Sequence, residues 1–339
     1  GYLFGTNPAG IEFDAQITGG GEGGSTSSRF SIGSGGGFNV NWDAVWEVKT
    51  EKGDYGWSAE FAIPFKTLRY KKDKNQSWGI NFERVIARRK EEAHWSPISR
   101  QFTMNRLLSA GTIKNINVPN SRNTKIMPYI LSQKNNIIDE TTTNSEDSNF
   151  GMDAKVSIGS SMTLDLTYNT DFAQVEADEQ QINLDRFSLF FPEKRAFFLE
   201  NAGLFSVGSG GGYSGPDIEM FFSRRIGVGT DGIPVPIIGG GRLTGTLSGM
   251  KVGILSMVTD EVKNVTDQNN YSVFRLKKEL PNRTHIGGMY TALDHKGHDG
   301  YINQSYAIDA QLGIGELNKI IAFAGLTDTP GIKKENAYA

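Results

Sequence analysis

The chain has no cysteine among its 339 residues. That excludes disulfide frameworks and thiolate metal sites, and it suits an exported bacterial protein. No apolar run approaches the ~18 residues a membrane-crossing helix needs. The net charge of −3 comes with no basic run and no acidic tail, so nothing predicts nucleic-acid binding. Only four histidines occur, scattered late, and no Ser-His-Asp arrangement can be assigned from them. There is no initiator Met and no signal peptide, and the chain starts at Gly1 as if already cut. What it does have is 41 glycines and 20 phenylalanines, with alternating stretches bounded by Gly, Asn, Asp and Ser; this predicts a mostly β protein.

The most informative stretch is Asp165–Phe205, DLTYNTDFAQVEADEQQINLDRFSLFFPEKRAFFLENAGLF. It begins as a clean strand at Met162–Tyr168 and then follows neither period 2 nor period 3.6 for long. Seven phenylalanines lie between Phe172 and Phe205, so the segment must be buried against something. Interleaved charges, among them Asp171, Glu176, Asp178, Arg186, Glu193, Lys194, Arg195 and Glu200, need partners once buried. A polar enclosure is therefore expected around it. Asp171, Glu176 and Asp178 could together ligate Ca²⁺, a hard cation that takes carboxylate oxygens. Their spacing is not that of an EF-hand loop, and ion pairs with Arg186, Lys194, Arg195, Arg224 and Arg225 are the competing use. Otherwise no cofactor is predicted. A glycosidase acid and nucleophile drawn from the same carboxylates would need a defined separation, which sequence does not supply. His295 and His298 share a polar, glycine-bearing loop without a third ligand, and Gly239–Gly241 before Arg242 lacks the ending of a phosphate loop, reading instead as a turn or barrel kink.

In chain order, a patterned piece at Gly10–Ile17 runs into glycine-rich stretches. Asn39–Val48, Gly56–Ile63 and Trp78–Ala87 read as strands, with a helical turn at Phe65–Leu68. Residues 1–114 are expected to form a β-sandwich, partly missing, and 115–124 a linker. Trp42, Trp46 and Trp57 either stack on sugar rings, if exposed, or pack the sandwich. Ten further strands are expected: Lys125–Gln133, Phe150–Ile158, Met162–Tyr168, Asp217–Arg224, Ile237–Thr246, Met250–Thr259, Tyr271–Leu280, His285–Leu293, Tyr301–Leu312 and Lys319–Leu326. Their length and alternation suit a transmembrane β-barrel, although a soluble sandwich alternates in the same way. Short connections such as Gly159–Ser161, Leu247–Gly249 and Pro281–Thr284 would be periplasmic turns. Lys134–Asn149 would be a long outer loop. For that pattern to hold, Asp171–Pro216 must cross the lumen from the outer to the inner side as a plug, with outer-membrane lipid around the wall and the first domain in the periplasm.

Two resemblances sharpen these expectations. The order YGWSAEFAIPFKTLRY…WGINFERV resembles the later half of the family-9 carbohydrate-binding-like domain, a jelly-roll sandwich; it covers roughly residues 10–110 and implies glycan binding. The run from Asp165 to Phe205, followed by FFSRRIGV and PIIGGGRLTG, resembles the signature of an uncharacterised bacterial outer-membrane barrel family that carries such a domain at its N-terminus. Family members are longer, which implies an incomplete chain here. The resemblance implies architecture and no chemistry. An outer-membrane channel, plugged or gated, or a component of an envelope assembly with a glycan- or protein-binding periplasmic domain is one expectation. A carbohydrate-active enzyme or glycan-binding protein that uses the barrel as an anchor is the other.

Overall fold

A computed structural model describes residues 1–17, 19–21, 38–40, 42, 44–68, 70, 75–100, 102–118, 124–137, 143–159, 161–170, 193, 195–208, 220–229, 233–297, 301–315, 318–332 and 335–338. The chain is all-β, with very little helix. Its N-terminal part holds nine strands in four small antiparallel sheets. β1 (Tyr2–Gly5), β2 (Phe13–Ile17) and β3 (Phe38–Asn39) form one, and β4 (Glu47–Gly53) pairs with β5 (Gly56–Ala62). β6 (Asn75–Ile80) pairs with β9 (Gly111–Asn117), and β7 (Glu83–Ile86) with β8 (Glu91–His94).

Two of the expected N-terminal strands are broken. The described residues between β3 and β4 are not strand, because buried Trp42 and Trp46 turn inward onto Tyr2 and Phe4 in place of alternating across a sheet. The expected strand Trp78–Ala87 splits at Asn81. Its side-chain carbonyl accepts from the backbone N–H groups of Phe82 (2.9 Å) and Ser96 (2.7 Å), and its amide donates to Ser96 O (3.1 Å). A side chain that satisfies backbone groups in this way competes with the ladder.

Ten strands then form one antiparallel sheet in which every strand pairs with its sequence neighbour. They are β10 (Thr124–Ile137), β11 (Thr143–Ile158), β12 (Met162–Tyr168), β13 (Ile237–Leu247), β14 (Met250–Thr259), β15 (Asn269–Leu280), β16 (Thr284–His295), β17 (Ile302–Ile314), β18 (Asn318–Asp328) and β19 (Glu335–Tyr338). Nine of the ten expected strands are present. Asp217–Arg224 is not among them. Its described part bends at Met220–Phe222 and closes a 3-10 turn at Ser223–Arg225, because Arg195 takes the Ser223 carbonyl that a ladder would have used. β19 was not anticipated from the sequence.

One end of this sheet has only short connections, at 159–161, 248–249, 281–283 and 315–317. Ser248 (φ 50°) and Gly249 (φ 74°) are both left-handed, as a two-residue type I′ hairpin turn demands. The other end carries 138–142, 260–268, 296–301 and 329–334, and also the 68-residue excursion 169–236. The expected long loop Lys134–Asn149 is mostly strand, since the β10–β11 ladder runs to Ile137↔Thr143. A backbone ladder does not need an apolar pattern to continue.

The missing strand also corrects the expected crossing. Tyr168 pairs with Gly239, so the excursion leaves and rejoins the sheet at the same, long-loop end. Its two ends lie at one end of the sheet, so it makes no net crossing.

Candidate functional site: the concave face of the ten-stranded sheet and the finger it holds

Register and alternation sort the sheet into two faces. On one lie Ile126, Ile130, Phe150, Leu166, Ile254, Phe274, Ile286, Ile308, Leu312 and Ile320, all exposed. On the other lie Asp165, Arg242, Thr244, Arg275 and Asp309, all buried. This inversion of the usual order, apolar side chains out and charges in, defines the site. The covered face holds residues 193, 195–208 and 220–229 of the excursion, hereafter the finger.

An apolar layer fixes the finger. Phe197, Phe198, Phe205, Val207 and Ile226 pack against Ile237, Leu255, Met257, Val273, Met289 and Ala307 of the wall. Glycines allow the approach: a Cβ on Gly253 would sit 3.0 Å from Leu204 and Phe205. The finger includes a single helical turn, α1 (Ala196–Leu199), followed by Asn201 at φ 57° and a 3-10 turn at Ala202–Phe205. Asn201 reverses the chain there, as asparagine does at left-handed positions.

The buried charges form three groups. In the first, Arg195 (2% exposed) donates to Glu193 (1% exposed) through Nε (2.8 Å), Nη2 (2.7 Å) and its own backbone N–H (3.0 Å). Ser223 Oγ donates to the same carboxylate at 2.7 Å, and Arg195 also donates to the carbonyls of Ile226 and Ser223. Its guanidinium lies 4.2 Å over the Phe198 ring. In the second group, Arg242 donates to Asp165 at 2.9 and 3.3 Å and lies over Phe197, while Lys155 bridges Asp165 (3.9 Å) and Glu200. Here the finger contributes Glu200, and the wall contributes both cations.

The third group belongs to the wall. Arg275 and Asp309, each with a 1% exposed side chain, form a two-point pair at 2.5 and 2.8 Å; His285 Nε2 lies 3.4 Å from Asp309. The pair reaches across β16 above Gly287, where a Cβ would fall 2.6 Å from Arg275 Nη1 and 2.7 Å from Asp309 Oδ1. Arg275 Nε also donates to Leu204 O of the finger at 3.3 Å. The sequence reading missed this group. Its signal was available in part, since Asp309 is a lone charge on the polar side of an alternating strand, but the two-strand span to Arg275 becomes visible only from register.

Of the residues expected at this site, Glu193, Arg195 and Glu200 are paired as described. Arg224 is buried, and burial draws its guanidinium below the usual range; Arg225 is exposed. Asp171, Glu176, Asp178, Arg186 and Lys194 lie outside the described residues, so the Ca²⁺ reading does too. Among the described residues no three His, Asp or Glu side chains gather as a metal site would. His298 also falls outside them. The Gly239–Gly241 run is the kink alternative: the ladder shifts register between Ile237 and Gly239, and a Cβ on Gly240 would meet Met257 Sδ and Ser256 O at 2.3 Å.

In the N-terminal part, Trp42 and Trp46 are buried. Trp46 stacks on Phe61 at 5.6 Å and donates Nε1–H to Asp14 at 2.9 Å, and Trp42 leans on Tyr2 at 4.8 Å. Trp57 is half-buried beneath the Arg84 guanidinium, 5.2 Å from its ring. This part also touches the finger. Asn39 Nδ2 donates to Leu199 O (3.0 Å), and Gln16 Nε2 to Asn201 Oδ1 (3.4 Å), while Asn201 Nδ2 donates to Thr244 Oγ1 of the wall (3.1 Å). Thr244 pairs with Thr163, next to the turn at 159–161, so the finger's tip and the N-terminal sheet meet at the short-turn end.

Fold and site thus define an all-β chain whose main sheet holds an inserted finger on its charged face. Residues 122–234 match a family model described as a domain of unknown function, DUF5916, which covers β10–β12 and the excursion up to Pro234. No curated protein and no solved structure matches the chain. No helix among the described residues is long and apolar enough to cross a membrane, a criterion that does not bear on strands.

Proposed function

We propose that the ten-stranded sheet is wall of a bacterial outer-membrane β-barrel, that the finger is a plug seated in its lumen from the long-loop end, and that the N-terminal part stands in the periplasm against the plug's tip. The protein would then be a plugged or gated channel, or a component of an envelope assembly, with a glycan- or protein-binding N-terminal domain of the jelly-roll type.

The observation that carries this reading is the exposed apolar face. Ile130 is 80% exposed, Ile308 66% and Ile286 57%, on a face of ten strands from which charge is nearly absent away from the strand ends. Exposed apolar patches on soluble proteins rarely exceed a few hundred Å². A water-soluble sandwich would bury this face and expose the one that carries Arg242, Arg275 and Asp309. Lipid reverses the preference, because an outer-membrane barrel turns an apolar band outward and keeps its polar residues within. The connections agree, with short turns at the end occupied by the domain that precedes β10 and long ones at the other.

The absence of cysteine makes the test clean. Single cysteines at Ile130, Ile308 and Ser305 would each be the only thiol in the chain. In lipid vesicles, a fluorophore at residue 130 or 308 should be quenched by bromine- or spin-labelled acyl chains, and one at 305 should not. Equal quenching at all three would overturn the proposal. Replacing residues 171–232 by a short Gly/Ser linker is sterically simple, since Tyr168 and Gly239 are cross-strand partners. It should raise conductance in planar bilayers if the finger closes the lumen.

A further inference from the structure

We infer that the wall itself carries an anion-binding site at the short-turn end of the concave face, centred on Lys277 and Lys251, with a phosphate or carboxylate group as ligand. The site is separate from the finger's ion pairs and does not require the barrel to close.

The argument begins with register. Lys251 of β14 and Lys277 of β15 are directly opposite each other on the same face. Like charges so placed repel, and a sheet with nothing between them is destabilised. Neither carboxylate on this face forms an ion pair with Lys277. Glu279 is taken by Lys251, and Asp309 accepts two bonds from Arg275 with His285 beside it. On its other side Lys277 faces Gly287, over which the Arg275–Asp309 pair lies, so a third cationic group borders the two lysines. Among the described residues no carboxylate lies within ion-pair distance of Lys277.

The charge balance agrees. On the concave face of β14–β18 the cations are Lys251, Arg275, Lys277 and Lys319, and the acids are Glu279 and Asp309, which leaves 4 − 2 = 2 positive charges before His285 is counted. The chain as a whole is negative, at −3. A local excess of the opposite sign, in a concavity and with two lysines set against each other, fits a site that a bound anion completes. An oxyanion could accept from both ammonium groups at once; charge-assisted bonds of that kind are the strong ones.

The test is calorimetric titration of the detergent-solubilised full chain with inorganic phosphate and, separately, with acetate at constant ionic strength. Saturable binding is expected. Lys277→Gln should weaken it about tenfold, the size of one charge-assisted contact. Glu279→Gln should strengthen it, because it frees Lys251 from its competitor. These opposite signs distinguish a ligand site from a structural role, in which both substitutions would merely destabilise. Absence of saturable binding, or Lys277→Gln and Glu279→Gln shifting affinity in the same direction, would overturn the inference. Preference for phosphate over acetate would assign the ligand class; equal affinity would assign any small oxyanion.

Discussion

Glu193→Ala isolates the finger's own core. The carboxylate accepts from the Nε, Nη2 and backbone N–H of Arg195 and from Ser223 Oγ, at 2.7–3.0 Å and with 1% exposure. Removal leaves a 2% exposed guanidinium that has lost its carboxylate and keeps the carbonyls of Ile226 and Ser223, with the Phe198 face beside it. Breaking a buried pair by deleting one partner costs about 3–5 kcal/mol. At 1.4 kcal/mol per factor of ten, that raises the open population of the finger by roughly 10²–10³·⁵. The sheet should hold, because none of its ladder bonds uses Glu193. The assay is limited proteolysis in detergent at low protease, where cleavage tracks the open population. Cleavage within residues 193–229 should accelerate by at least about a hundredfold, while heat-modifiable migration on gels stays as in the parent. The companion Glu193→Leu/Arg195→Met, which replaces both charges by apolar groups, should return most of the stability. Acceleration below about threefold for Glu193→Ala would show that the pair does not hold the finger and would refute the packing argument.

Four further outcomes follow from named contacts. Ile308→Arg on the exposed face should cost about 2–4 kcal/mol in lipid if the site lies near the bilayer midplane; guanidinium unfolding in vesicles measures it, and a neutral result would argue for a water-facing surface. Gly287→Ala places a methyl in the gap that the Arg275–Asp309 pair occupies, and should cost about 1–3 kcal/mol by the same assay. Asp165→Asn should loosen Arg242 and Lys155 together; its loss should therefore be non-additive with Glu200→Gln, as a double-mutant cycle would detect. Asn39→Ala strips a donor from the buried Leu199 carbonyl, which costs about 1–3 kcal/mol, and should raise hydrogen exchange at the finger's tip without touching the wall.

Much of the wall was legible because strand alternation is a local property. Met162–Tyr168 and Met250–Thr259 have the bounds that the side-chain pattern predicts; the first alternates Met, Leu and Tyr against Thr and Asp, and the second keeps Met250, Val252, Ile254 and Val258 on one side. Polar stretches were harder to read. Residues 134–149 look like a loop, yet they extend the hairpin, because cross-strand amide pairing is blind to side-chain polarity. Asp217–Arg224 looked like a strand because Ile218, Met220 and Phe222 alternate, but the consecutive Met220 and Phe221 both pack against the apolar cluster, and Arg195 claims the backbone at Ser223. A long-range side chain overruled a local pattern, and no short window contains that information. For the site, the pairing of Glu193 and Arg195 follows from the need to neutralise buried charge. The partners of Glu200 and Arg275 lie on other strands, reachable only through register.

Finger and wall explain each other's composition. Arg242, Asp165, Arg275 and Asp309 sit at positions where a free-standing sheet in lipid would have to hydrate them, and the finger's carbonyls and carboxylates do much of that work instead: Leu204 O for Arg275, Glu200 for Lys155. Conversely, Phe197, Phe198 and Phe205 would be an aggregation hazard on a loop in water, and Leu255, Met257, Val273 and Met289 give them an apolar floor. Among the described residues these wall side chains form an apolar patch under the ring cluster. Swapping that floor for polar residues, for instance Leu255→Ser with Val273→Thr, should therefore release the finger while leaving the exposed face and the ladder intact. Released fingers should be cut by protease while the ten-stranded sheet stays folded. If the double substitution instead unfolded the sheet with the finger, wall and finger would be one cooperative unit, and opening by displacement of the finger alone would be excluded.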